Sequence, residues 1–128
     1  MKTSRSTLFL ALAAVACLPA IAAAQPKPPT ALPQSSSLRA VACAATLTAM
    51  AGSVRPTSAA MADELAGISA KWRAQAKKAF AASGQAADLA DAQIAEQTTA
   101  LTSTAGLPGG TFEKAQTCQN EGGSLPAG

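Results

Sequence analysis

The sequence predicts an all-α fold, a small antiparallel four-helix bundle with a short last helix, closed by one disulfide. Three observations lead there. Between residues 38 and 121, apolar side chains recur at helical spacing in four segments separated by Gly- and Pro-bearing breaks. No run alternates apolar and polar residues as a half-buried strand would. The N-terminus is built for export, and two cysteines, Cys43 and Cys118, remain once it is removed.

Export comes first because it sets the redox environment. Residues 1–6 carry Lys2 and Arg5 and no acid, residues 8–18 are an apolar run broken by Pro19, and residues 20–24 are Ala-rich. A positive start, a short apolar stretch and a small-residue ending make residues 1–24 a cleavable signal peptide, with the cut expected between Ala24 and Gln25. The run of 11 residues falls short of the roughly 20 a membrane-spanning helix needs, so no span is expected. Lipid attachment at Cys17 is the competing route. Against it, residues 14–16 lack the large aliphatic side chain expected three places upstream, and residues 18–21 are apolar. A periplasmic or secreted bacterial protein is the expectation. Of the ten basic side chains two, Lys2 and Arg5, leave with the signal, so eight face seven acids and the mature chain carries +1. The basic pI thus belongs mostly to the discarded segment, and no nucleic-acid partner is implied.

Residues 25–37 hold Pro26, Pro28, Pro29 and Pro33, a density that favours extended chain and reads as a flexible leader. A first helix is expected over 38–51, with Ser37 as N-cap and Gly52 beyond its end. Cys43, Leu47, Met50 and Val54 form one stripe, while Leu38 and Val41 lie on another face, as for a helix covered on more than one side. Pro56 breaks the chain, and Thr57 or Ser58 can cap a second helix over 59–82. Its face reads Met61, Leu65, Ile68, Trp72, Ala76 and Ala79; acids near its start and cations towards its end complement the dipole. Ser83-Gly84 stops it. A third helix over 85–104 uses Ala87, Ala90, Ile94 and Leu101, with Gln97 interrupting that face, Leu89 off it, and a Thr/Ser-rich end prone to fraying. After a Gly/Pro turn at 106–110, Thr111 can cap a short fourth helix over 112–121 carrying Ala115 and Cys118. Residues 38–121 are therefore the expected domain, and 122–128 a loose tail.

Short connections favour antiparallel neighbours, which brings the start of the first helix and the end of the fourth to one level, where Cys43 and Cys118 lie. Large apolar residues are few, so the core is thin. Closing so long a loop removes denatured-state entropy equivalent to about 4 kcal/mol, comparable to the whole stability of a small domain. Loss of either cysteine is expected to leave the domain partly or wholly unfolded. Two buried free thiols are the alternative, and a metal site has no histidine to complete it.

The chain has no His and no Tyr, which removes His-based triads, haem attachment and His-ligated zinc or copper. No dinucleotide loop, phosphate loop or CxxC pair occurs, and no cofactor or metal is implied. The best candidate for a partner or anion surface is Lys71, Arg73, Lys77 and Lys78 around Trp72. Helical geometry puts Lys71 and Lys78 on one flank of the apolar stripe and Arg73 and Lys77 on the other, as solvated shoulders of a buried tryptophan would be. Asp88 and Asp91, with Glu96 near them, read first as acids answering a helix dipole and second as an acid–base pair.

The expected function is binding rather than catalysis: an exported cell-envelope adaptor, an inhibitor-like module or a stress protein. In size, all-α content and a single disulfide spanning its helices, through Cys43 and Cys118, the chain resembles the acid-stress chaperones of enteric bacteria. The likeness is architectural; the cysteine spacing here is longer and no residue is carried over. It implies a small periplasmic chaperone as the second reading. A hydrolase working with carboxylates alone is the reading from another class.

Overall fold

The computed structural model describes residues 34–127, so the expected signal peptide, Cys17 and the leader up to Pro33 lie outside the described residues. Among the described residues there are four helices and no strand: α1 (Gln34–Val54), α2 (Ala59–Ala82), α3 (Asp88–Thr102) and α4 (Thr111–Gly123). The Cys43–Cys118 disulfide is formed, joining α1 to α4 with Cα atoms 5.4 Å apart across 75 positions of sequence.

α1 begins at Gln34, ahead of the expected start at Leu38, so Ser37 lies inside the helix rather than capping it. The prolines end at Pro33, and nothing in the next four residues forbids helical backbone. Gly52 does not stop it either; a single interior Gly costs a helix only about 1 kcal/mol, and α1 runs on to Val54, two residues short of Pro56. From Ala40 to Ala51 every residue but Ala42 and Thr48 is buried. A helix buried nearly all round needs neighbours on several sides, and α1 packs on α2, α3 and α4. This also accounts for the apolarity of Ser36–Val54, a stretch long and apolar enough to cross a membrane, 56% of which is buried within the fold.

α2 has the expected bounds. Ser58 caps it, its hydroxyl accepting from the Met61 amide at 3.3 Å. Its end closes with Gly84 at φ +78°, the Gly84 amide donating to Ala81 O and the Gln85 amide to Phe80 O. This is the paired bonding of a left-handed C-terminal glycine. It occupies Gln85, so α3 starts at Asp88 rather than at 85. The inward positions of α2 are Ala62, Leu65, Ser69, Trp72, Ala76, Ala79 and Phe80. Met61 is exposed and Ile68 half-buried, so the expected stripe is one residue out of register at both places.

α3 ends at Thr102, earlier than the expected 104. The hydroxyls of Thr98, Thr99 and Thr102 donate to the carbonyls four residues back, at 2.7, 2.9 and 2.9 Å, bonds that compete with helix propagation. Thr111 does not cap α4; it is the first helical residue, and its hydroxyl donates to Pro108 O at 2.6 Å. α4 continues through Gly122 and Gly123, and Leu125 packs on the core, so the chain beyond Glu121 is not wholly a loose tail.

The core is light, as expected. Its largest fully buried side chains are Leu47, Ile94 and Val41, and Ala44, Ala45, Ala62, Ala76 and Ala90 are wholly enclosed. Leu65, Trp72 and Phe80 add bulk from α2. Like α1, α2 touches all three other helices, but α3 and α4 do not meet. The pair α1–α2 is therefore the spine, with α3 and α4 packed on it separately.

Candidate functional site

The outward face of α2 carries the four candidate cations, Lys71, Arg73, Lys77 and Lys78. Opposite its buried stripe, Gly67, Ala70 and Ala74 leave a shallow trough whose walls are Lys71 on one side and Arg73 with Lys77 on the other; Ala127 closes one edge. Lys78 is exposed seven residues on from Lys71, on the same flank. The four candidate cations thus flank a strip of small residues rather than forming one cluster, in keeping with their helical spacing. Trp72 points the other way, buried, with its indole Nε1 donating to Cys118 O at 2.8 Å.

Two of the four cations are engaged. Asp91 of α3 receives Lys77 Nζ at 2.8 Å, and Arg73 Nε lies 3.5 Å from its other oxygen. At that separation the guanidinium forms an ion pair but no hydrogen bond, and Asp91 Oδ1 has no hydrogen-bond partner. Asp91 is in the first turn of α3, as a dipole-complementing acid should be, yet its specific partners are the α2 cations. Asp88 shares the first turn and is exposed; Glu96 is exposed two turns on. All the side chains of the Asp91 cluster are 39–49% exposed, so each pair contributes little, about 0.2–1 kcal/mol.

Around the disulfide, a second groove runs between α1 and α4, lined by Ala42, Thr46, Glu113 and Thr117 with Cys43 and Cys118 in its floor. At one end Arg39 Nη2 reaches both carboxylate oxygens of Glu121. Among the described residues no group of three or more His, Cys, Asp or Glu side chains is arranged to hold a metal. The polar run 97–104 lines one wall of a third open groove, with Thr98, Thr102 and Thr104 facing Thr48 and Ser53 of α1.

No family model, curated protein or solved structure matches this chain.

Three features escaped the sequence. Ser69 is buried between helices: its hydroxyl donates to Ala44 O at 2.8 Å and lies 2.8 Å from Thr48 Oγ1, which itself donates to Ala44 O. A polar residue at the right helical spacing was its only signal. Gly122 sits so close to Ile68 and Trp72 that a side chain there would force one of them to shift. Asp91 signalled through its charge but not through its partners.

Proposed function

We propose that this chain is a small exported protein of the cell envelope that acts by binding a partner, its helices forming an antiparallel bundle. The observation that carries the reading is the outward face of α2, a trough of Gly67, Ala70 and Ala74 edged by cations, which suits a helix or strand with acidic flanks. Small residues let another backbone approach closely, and the flanking Lys71 and Lys78 set its charge. The bundle geometry is supported by paired contacts whose numbers run oppositely: Thr48 of α1 and Arg55 just beyond it with Ser69 and Asp63 of α2, and Arg39 with Glu121 and Cys43 with Cys118 between α1 and α4. Export is supported by the signal-like first 24 residues and by a disulfide that suits an oxidising compartment. The non-enzymatic part is supported by Asp91, the best-placed acid of the Asp88, Asp91 and Glu96 set, which is occupied by Arg73 and Lys77.

The test is a photo-crosslinking residue placed at Ala70 in the full chain expressed in its host, with the same residue at exposed Ala100 as control. Adducts at position 70 alone, lost on Lys71→Glu with Lys78→Glu, are expected. No adduct, or equal adducts at both positions, refutes the α2 surface. Mass measurement of the mature protein, with and without reductant, tests export separately: a chain starting at Gln25 and heavier by two hydrogen atoms after reduction is expected.

A stress chaperone is the second reading, favoured by the exposed large apolar side chains Leu38, Met61, Leu89 and Phe112. With seven carboxylates and no His, its trigger would be acid. A protein that stays folded, monomeric and without dye-binding apolar surface near pH 3 ends that reading.

A further inference from the structure

The way α4 is held differs from the way the other helices are held. Its buried face is Thr111, Ala115, Cys118 and Gly122, at helical spacing and all small. The one large apolar side chain of α4, Phe112, is turned to solvent, 67% exposed. By contrast α1, α2 and α3 interlock through Val41, Leu47, Leu65, Phe80 and Ile94, none of which belongs to α4. α4 also gains nothing from α3, which it does not touch. Its non-covalent ties are the close packing of Gly122 on Ile68 and Trp72, the buried Ala115, the Trp72–Cys118 O hydrogen bond, the solvent-exposed Arg39–Glu121 pair, a long 3.4 Å bond from Gln119 to Glu64, and the half-buried Leu107 and Leu125 that flank it. The strongest single tie is the bond to Cys43.

We infer that the Cys43–Cys118 disulfide is a redox latch for α4: reduction frees this helix from a persisting α1–α2–α3 core and uncovers Trp72 and Ile68. The chain needs no distortion to allow it. The stretch from 103 to 110, which joins α3 to α4, contains Gly106, Gly109 and Gly110, two of them at positive φ. The groove lined by Ala42, Thr46, Glu113 and Thr117 also has the buried Cys43 and Cys118 in its lining, and it is the side from which a reductant would approach the bond. The reductant is a dithiol. One of its thiolates attacks a cystine sulfur, breaking the S–S bond and forming a mixed disulfide, and the second thiolate displaces the remaining protein thiolate. Two electrons and two protons pass to the protein, which gains two thiols, and the dithiol leaves as a disulfide. Trp72 then loses Cys118 O as its acceptor, and α4 loses its covalent hold. This device is independent of what binds the outward face of α2.

Hydrogen exchange read by mass spectrometry on the full chain, oxidised and after treatment with dithiothreitol, tests the inference. Expected is loss of protection across 111–123 with protection kept across 40–51 and 62–80, together with a red shift of emission from Trp72, the only tryptophan. The variant Cys43→Ala with Cys118→Ala should show the same pattern without reductant. Loss of protection throughout would mean that the bond holds the whole fold. Protection of α4 unchanged in the reduced protein and in the variant would mean that the non-covalent ties suffice. Either result overturns the latch.

Discussion

Two glycines offer a controlled contrast between intrinsic helix propensity and packing. Gly67 lies in the middle of α2 on its outward face, and a Cβ built there meets nothing within 4 Å. Gly67→Ala therefore keeps every contact and removes backbone entropy from the unfolded chain, which stabilises by about 0.5–1 kcal/mol. Gly122 lies in the last turn of α4, where a Cβ would stand 2.6 Å from Trp72 Nε1, 3.2 Å from Trp72 Cδ1 and closer still to Ile68 Cγ2. None of these atoms yields easily. The Ile68 methyl is on a β-branched carbon with one preferred rotamer in a helix, and the indole is fixed by its bond to Cys118 O at 2.8 Å. Overpacking of this kind costs about 1–3 kcal/mol, and the propensity gain at a helix end is too small to offset it. In a domain of this size 1 kcal/mol moves the melting temperature by about 4–8 °C. Thermal melting of the oxidised protein, followed by far-UV circular dichroism, should give Gly67→Ala a rise of about 2–8 °C and Gly122→Ala a fall of about 4–24 °C. Emission from Trp72 should change in the second variant only. If Gly122→Ala melted with or above wild type, the close approach of α4 to Trp72, on which the placement of that helix rests, would be refuted.

Other perturbations separate the remaining terms. Ser69→Ala removes a buried hydroxyl bonded to Ala44 O but leaves that carbonyl its bond from Thr48, so a loss of about 1 kcal/mol is expected in urea titration, with an unchanged m-value. Asp91→Asn breaks the pairs with Arg73 and Lys77 and should cost about 0.4–2 kcal/mol in dilute buffer. The same titration in about 1 M salt, where the screening length is about 3 Å, should show most of that difference gone. Phe112→Ser, at an exposed side chain, should shift stability by no more than about 0.5 kcal/mol, measurable by the same unfolding curves.

Legibility in the sequence followed the size of the residues. α2 was read to both ends because Ser58, Pro56 and Gly84 are strong punctuation, and its inward face was nearly right because Leu65, Trp72, Ala76 and Ala79 recur at the proper spacing. It was out of register at Met61 and Ile68 because the true inward residues beside them are Ala62 and Ser69, which carry too little apolar signal to compete. α1 defeated the search for a single stripe for the opposite reason: with three neighbours it has no outward face over most of its length. The start of α3 depended on bonding of Gln85 to the helix before it, a non-local fact that no window over 85–104 contains.

The region around α4 shows why composition misleads most where the chain is lightest. Read alone, the residues after Glu121 are a Gly-rich ending, and glycine there suggests freedom. Read against Trp72, the same Gly122 is a requirement, because the largest side chain of α2 needs the smallest residue opposite it. Complementarity of this kind is a property of a pair 50 positions apart, so neither segment can announce it. The disulfide was legible because cysteine pairs only with cysteine, and of the three in the sequence Cys43 and Cys118 are the two outside the expected signal segment. A helix with a face of Thr111, Ala115, Cys118 and Gly122 buries too little to hold its place by hydrophobic contact, so the covalent bond and the fit of Gly122 to Trp72 divide that task between them.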